Sequence, residues 1–347
     1  MPRGTPLASG HHPTSTNHFD QWERRGVPAV EWIGNELGII PVPWAGHPVR
    51  FTFSYALVSG GEVALIDPGY DTDEGFEALG AGLAAAGLSM REIDYVVITH
   101  FHVDHWGMAD RVLEESGAKL ALGEREHEWY RTLPSSIHNH DVVREFYRRW
   151  GVPPEALEKI VATYDYHEPA ERRQPDILLR AGDDFTVGDK PFRVIHTPGH
   201  SPGHVVLADY QGERLFSGDH ILPRITSNVS LNPFGGENPM RQFEESLRLF
   251  DSPMWRNWEV FPGHEYRFRG LSPRVRDIIS SISSKSREIS DVLDSDGHQS
   301  VWEIAKKLGW YRPWEAFAPI ALRMALGETA AQLVYLGYDI PRDVDGA

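Results

Sequence analysis

The segment His100-Phe101-His102-Val103-Asp104-His105 follows directly on the apolar run Ile93-Asp94-Tyr95-Val96-Val97-Ile98-Thr99. Four metal-ligating side chains packed into six residues at the end of a buried strand constrain the fold, because they need a sheet edge where an irregular loop can gather them. His100 and His102 are spaced to grip one cation. Asp104 and His105 cannot crowd the same small ion, since zinc takes about four ligands in a tetrahedron, so the natural reading is a second ion beside the first. Neutral imidazole with carboxylate is the donor set that borderline divalent metals prefer. A single histidine here would be read as an ordinary polar loop residue; a cluster this dense is not.

Three later segments repeat one pattern, an apolar strand running into a Gly-containing turn that carries His or Asp. Phe192-Arg193-Val194-Ile195 leads to Thr197-Pro198-Gly199-His200-Ser201-Pro202-Gly203-His204, and Leu215-Phe216 leads to Ser217-Gly218-Asp219-His220. Trp258-Glu259-Val260-Phe261 leads to Pro262-Gly263-His264-Glu265. Glycine lets the backbone turn sharply and approach an ion closely, while proline fixes φ and removes a donor. Parallel strands ending at one edge would deliver all four loops to one place, as in other α/β sheets.

This ordered set, together with Ile66-Asp67-Pro68-Gly69 after an earlier strand, resembles the metallo-beta-lactamase-fold hydrolases, with glyoxalase II-like motifs, over residues 25–270. The resemblance implies an α/β protein built as an αβ/βα four-layer sandwich, two sheets face to face with helices outside and a metal pair at one rim. It implies that His100, His102 and His200 hold a first ion, that Asp104, His105 and His264 hold a second, and that Asp219 bridges them. The expected cofactors are two divalent ions, zinc first, with manganese or iron as alternatives. Asp67, His204 and His220 are expected to support the ligands by hydrogen bonds from behind.

Two such ions about 3.5–4 Å apart lower the pKa of a bridging water toward neutrality, so the resemblance implies a hydroxide nucleophile. Asp104 and Asp219 are the candidates for passing the proton to the leaving group. Glyoxalase II-like thioesterases and lactonases share this pattern, so a small acyl substrate (thioester, ester or lactone) is the leading expectation. The alternatives are a phosphodiesterase or endoribonuclease of the same fold, and a mononuclear iron persulfide dioxygenase on His100, His200 and Asp219.

Composition narrows these choices. The chain has no cysteine, which removes disulfides and thiolate ligands and disfavours the zinc lactamases that place a thiol near the position of Asp219. A net charge of −16, from 34 basic and 50 acidic residues, repels polyanions, so a small-molecule substrate is expected rather than nucleic acid. The N-terminal residues lack the apolar run of a secretory signal, and no stretch approaches the ~20 apolar residues of a membrane span. A cytoplasmic protein without a membrane partner is expected, and self-association into a homo-oligomer is left open.

At 347 residues the chain suggests one large domain with an appendage. Residues 1–24, rich in Pro, Ser, Thr, Gly and His, read as a flexible tail in which His11, His12 and His18 are incidental. Residues 124–180 read as a helical insertion near the rim, dense in aromatics: Trp129, Tyr130, Phe146, Tyr147, Trp150, Tyr164 and Tyr166. Trp129, His138 and Tyr166 are candidate substrate contacts, as is Arg224 in the turn-rich segment after Asp219. The plainer expectation for the aromatics is a small helical core. Residues 271–347 read as three helices that resemble a small winged-helix-like domain. Arg323 is the one basic residue of its third helical stretch, which favours an interface or pocket-capping role over DNA binding.

Overall fold

Short runs of Val, Ile, Leu and Phe, punctuated by glycine and aspartate turns, form two seven-stranded mixed sheets. The computed structural model describes residues 10–132, 140–164, 173–231, 237–296 and 299–341. The strands of the first half are β1 (His12–Pro13), β2 (Glu31–Ile33), β3 (Leu37–Pro43), β4 (Phe51–Ser59), β5 (Glu62–Ile66), β6 (Tyr95–Ile98) and β7 (Lys119–Gly123). They are followed by β8 (Ile177–Leu179), β9 (Asp184–Val187), β10 (Lys190–His196), β11 (Val205–Asp209), β12 (Arg214–Gly218), β13 (Glu259–Pro262) and β14 (Phe268–Arg269). One sheet runs β2-β3-β4-β5-β6-β7-β8 and the other β1-β14-β13-β12-β11-β10-β9.

Strand alternation builds the layers. Ile39 and Val97 point between the sheets with Phe53, Tyr55, Phe192, Leu207, Phe216 and Phe261, whereas their neighbours Ile40 and Val96 point outward. The outward face is covered by helices α2 (Asp73–Ala84) and α4 (Ala109–Ser116), the latter following the short α3 (Val103–Trp106). Tyr55 meets Phe216 and Phe261 edge-on, at ring separations of 5.3 and 5.8 Å, and its hydroxyl donates to the Pro262 carbonyl. Each such large apolar side chain contributes about 1.5–3 kcal/mol by leaving water. The αβ/βα sandwich is therefore as expected.

The N-terminal residues depart from expectation. From residue 12 onward they are not a loose tail: β1 pairs antiparallel with β14, and α1 (Thr16–Arg24) starts at Ser15, whose hydroxyl accepts the His18 amide. Phe19 and Trp22 of α1 pack on Tyr266. His11 and His18 are not incidental, being buried against Phe268 and Phe53. Two aromatic anchors in an otherwise polar helix leave too weak a periodicity to read.

The insertion forms α5 (Glu124–Thr132), α6 (His140–Arg149) and α7 (Pro154–Val161). Phe146, Tyr147 and Trp150 are fully buried and share one core with the C-terminal helices, so the plainer expectation applies to them. After α8 (Pro239–Arg248) come α9 (Leu271–Asp296), α10 (Val301–Lys307) and α11 (Pro319–Tyr335). Among the described residues after 271 there is no strand, so the wing of a winged helix is not seen. The C-terminal helices dock through the Leu231 amide, which donates to the Gly327 carbonyl, and through the Trp302 amide, which donates to the Trp150 carbonyl. No helix among the described residues is long and apolar enough to cross a membrane.

Candidate metal centre

The two sheets are joined at one rim, where the Val205 amide donates to the Thr99 carbonyl and the Phe53 amide to the Gly263 carbonyl. Onto this rim β6 delivers Thr99 and His100, with His102 leading into α3, whose four residues include Asp104 and His105. β12 and β13 are parallel neighbours, so Asp219 and His264 leave side by side, and the Gly263 amide donates to the Gly218 carbonyl. The loop of His200 arrives differently. It connects the antiparallel pair β10 and β11, not two parallel strands. Gly263 is required by space, because a Cβ there would lie 2.7 Å from both Asp219 Oδ1 and His105 Cε1.

The seven residues expected as ligands come together. His100, His102 and His200 form one group of mutually close donor atoms, Asp104, His105 and His264 another, and His100, His105 and Asp219 a third that overlaps both. His100 Nε2 and His102 Nδ1 are 2.9 Å apart. Asp219 reaches both sides: its Oδ2 is 3.5 Å from His200 Nε2, and its Oδ1 is 3.2 Å from His264 Nε2 and 3.4 Å from His105 Nε2. Asp104 Oδ2 lies 3.3 Å from His264 Nε2.

Hydrogen bonds from behind fix the imidazole tautomers. His105 Nδ1 faces Asp67 Oδ2 at 2.8 Å, His200 Nδ1 faces the Asn228 carbonyl at 2.8 Å, and His264 Nδ1 faces the Phe51 carbonyl at 2.9 Å. Each acceptor requires an Nδ1–H donor, so in the neutral ring each Nε2 lone pair points into the centre. The Thr99 hydroxyl donates to Asp67, and can therefore accept from His100 Nδ1, giving His100 the same orientation. His102 alone presents Nδ1. Asp67 thus binds Thr99 and His105 together.

Charge follows geometry. Burial and the neighbouring imidazoles hold His100 well below the ordinary histidine value, and burial with His200 puts His102 at about 3, so both stay neutral. At His264 burial opposes protonation, but the carboxylates of Asp219 and Asp104 outweigh it and push the ring up to about 10. Burial would raise Asp219, yet His264 and His105 hold it well below the carboxylate range. The centre thus sets neutral His100 and His102 beside His264 and His105, which the surrounding carboxylates hold toward the protonated form against the effect of burial, so it has capacity for positive charge. His105 Nε2, His200 Nε2 and Asp219 Oδ1 are buried without a hydrogen-bond partner among the described residues, a costly arrangement that a divalent cation would relieve. The residues present fit a metal.

A family model of the metallo-beta-lactamase superfamily matches residues 47–264. The chain belongs to the metallo-beta-lactamase superfamily. It is a metal-dependent hydrolase of that superfamily, similar to the probable metallo-hydrolase YqjP of Bacillus subtilis, with 25% identity over 85% of this chain and 89% of the relative. It is also 29% identical to a hydroxyacylglutathione hydrolase of Anaeromyxobacter dehalogenans over 63% of this chain and 64% of that relative. Among solved structures, the metallo-beta-lactamase family protein TTHA1429 from Thermus thermophilus aligns with a TM-score of 0.71 and 27% identity, covering 87% of this chain and 93% of that one.

Other expected residues of the hydrolase are placed less centrally. His204 donates from Nδ1 to Thr197, leaving Nε2 to accept the Asp219 amide at 3.3 Å. His220 is buried edge-on against Phe243 and does not hydrogen-bond a ligand among the described residues; it fills space rather than orienting a donor. Arg224 gives its amide to Glu265 and lays its guanidinium over Trp22, 5.2 Å from the ring. Trp129 packs on Phe101, behind His102. His138 and Tyr166 lie outside the described residues.

Three groups had no sequence signal. Glu265, buried beside His264, accepts from Trp22 Nε1 and from the amides of Arg224 and Ile225. The β3–β4 loop stacks Trp44 between His47 and Tyr70, and His47 feels the charge of Asp104. Glu126 is buried beneath the ligand loops. Each looks like an ordinary loop or helix-surface residue in isolation.

Proposed function

We propose that this hydrolase uses a dinuclear centre to cleave a small acyl substrate, a thioester, ester or lactone. The observation that carries the dinuclear reading is the disposition of Asp219, whose two oxygens face different histidine sets. His100, His102 and His200 would hold one divalent ion, Asp104, His105 and His264 the other, and Asp219 would lie between them. When bound, such a pair supplies a water activated near neutral pH and Lewis-acid stabilisation of a developing oxyanion. Zinc suits the N and O donors, and manganese and iron are the alternatives.

The chain's own contribution is orientation and charge. Asp67 and the carbonyls of Asn228 and Phe51 hold three imidazoles with their lone pairs inward, so no reorganisation is needed when the reaction begins. Asp104 and Asp219 provide two negative charges, which leave a centre of two divalent ions net positive and attractive to an oxyanion. The same carboxylates are the groups able to hold a proton and return it to the leaving group. The hydroxyacylglutathione hydrolase among the relatives supports the acyl class.

A substrate panel tests this reading: thioesters, lactones and aryl esters beside single-stranded RNA, each with the Asp219→Ala variant as control. Acyl hydrolysis lost in that variant is the expected result. Cleavage of RNA alone, abolished by the same substitution, would replace the acyl reading with the phosphodiesterase one, and a single iron per chain with oxygen uptake would replace it with the dioxygenase.

A further inference from the structure

Glu126 is a carboxylate with no solvent exposure, on the first turn of α5, outside the set of residues that face the metal centre. Its Oε1 accepts the Phe101 amide at 2.8 Å and the Ser201 hydroxyl at 2.7 Å, and its Oε2 accepts the Gly203 amide at 2.7 Å. These partners are not scattered. Phe101 separates His100 from His102, Ser201 follows His200, and Gly203 precedes His204, so one side chain spans the two loops that carry the whole His100, His102 and His200 group.

The surrounding contacts belong to the same junction. A Cβ on Gly203 would fall 1.9 Å from the Glu126 nitrogen, so the loop of His200 runs against the start of α5 without room for a side chain. One turn further along α5, Trp129 packs on Phe101, and Tyr130 stacks on Trp106 of α3. A buried carboxylate is costly unless its oxygens are satisfied, and here all three donors come from ligand-bearing loops. A Glu placed only to stabilise the helix could have faced water at the same position.

We propose that Glu126 is a positioning residue that sets the spacing of the His100–His102 and His200 loops, and so tunes the affinity of that one ion site. The inference rests on the dinuclear reading above. Glu126→Gln keeps the shape but turns one oxygen into an NH2 group that must face a donor, either the Gly203 amide or the Phe101 and Ser201 pair.

The experiment is a chelator-competition titration of zinc on the full-length apo protein, with thermal melting of the apo form alongside. Wild type is expected to bind two zinc ions, and Glu126→Gln to weaken one of them by ~10–100-fold, the range for groups that orient a ligand from behind, with the other unchanged. Ser286→Ala, which removes a buried bond to Gln332 in the C-terminal domain, serves as the control: a similar fall in melting temperature with unaltered zinc binding is expected. Wild-type zinc isotherms in Glu126→Gln would overturn the proposal, as would equal weakening of both sites. Should Glu126→Gln fail to fold, Ser201→Ala removes only the 2.7 Å bond, and a selective weakening of one site there supports the proposal while unchanged binding overturns it. Failure of wild type to bind two ions would instead sink the dinuclear reading.

Discussion

Asp67→Asn isolates the group that locks His105. The Asp67 carboxylate takes three hydrogen bonds: the Thr99 amide on Oδ1, and the Thr99 hydroxyl and His105 Nδ1 on Oδ2. Asparagine is isosteric but must present an NH2 group to one of these two sides. Facing the Thr99 amide, it sets donor against donor and forfeits a charge-assisted bond, a loss of about 1.5–3 kcal/mol. Facing His105, it turns the ring into the other tautomer and aims an N–H at the centre, which removes His105 as a ligand. Either way the metal site of Asp104, His105 and His264 suffers, by ~10–100-fold in affinity, while that of His100, His102 and His200 is largely spared. Urea denaturation of the apo protein reads the first quantity and zinc competition the second. Apo stability and both zinc affinities indistinguishable from wild type would refute the tautomer argument.

Two further outcomes follow from the geometry. Gly263→Ala should keep the far-UV circular dichroism of the fold but lower kcat/KM by ~100-fold or more, because its Cβ would need the space of Asp219 Oδ1 and His105 Cε1 and misplacing catalytic groups by about 1 Å costs on that order; activity within a few fold of wild type would count against it. His18 is buried against Phe53, and burial, only partly offset by Glu31, puts it at about 4 against an ordinary 6.5. The unfolded chain therefore takes up its proton first as pH falls, so the contribution of neutral His18 is intact above pH 6.5 and is lost as pH drops toward 4. Between pH 6.5 and 5 this amounts to about 2 kcal/mol, and His18→Phe, which keeps the ring contact, should lose that much less stability over the same interval. Equal pH slopes for the two proteins in denaturant titrations would dismiss the assignment.

The candidate ligands were legible because they are chemically distinctive: His100 to His105 follow one strand end, and His200, Asp219 and His264 each follow another with glycine beside it. Backbone topology then decides the rest: β12 beside β13 in parallel brings Asp219 to His264. Glu126 was illegible for the opposite reason. It stands in the run Glu124-Arg125-Glu126-His127-Glu128, where nothing local says which acid turns inward. The choice is made by the loops of Phe101 and Gly203, far away in sequence. The aromatics of α6 could be read as core or as pocket, and the decision fell to α10, whose Trp302 amide binds Trp150. The N-terminal helix was hidden by its polar composition, since β14 and Tyr266 supply the apolar surface that orders it.

The proposed centre holds two ions, divided between two histidine sets and joined by Asp219. Anomalous diffraction at the zinc edge, on crystals grown with zinc, tests it most directly. Two peaks are expected, one among His100, His102 and His200 and one among Asp104, His105 and His264, with the Asp219 carboxylate between them. A single peak at full zinc saturation, or peaks away from these residues, would contradict the account.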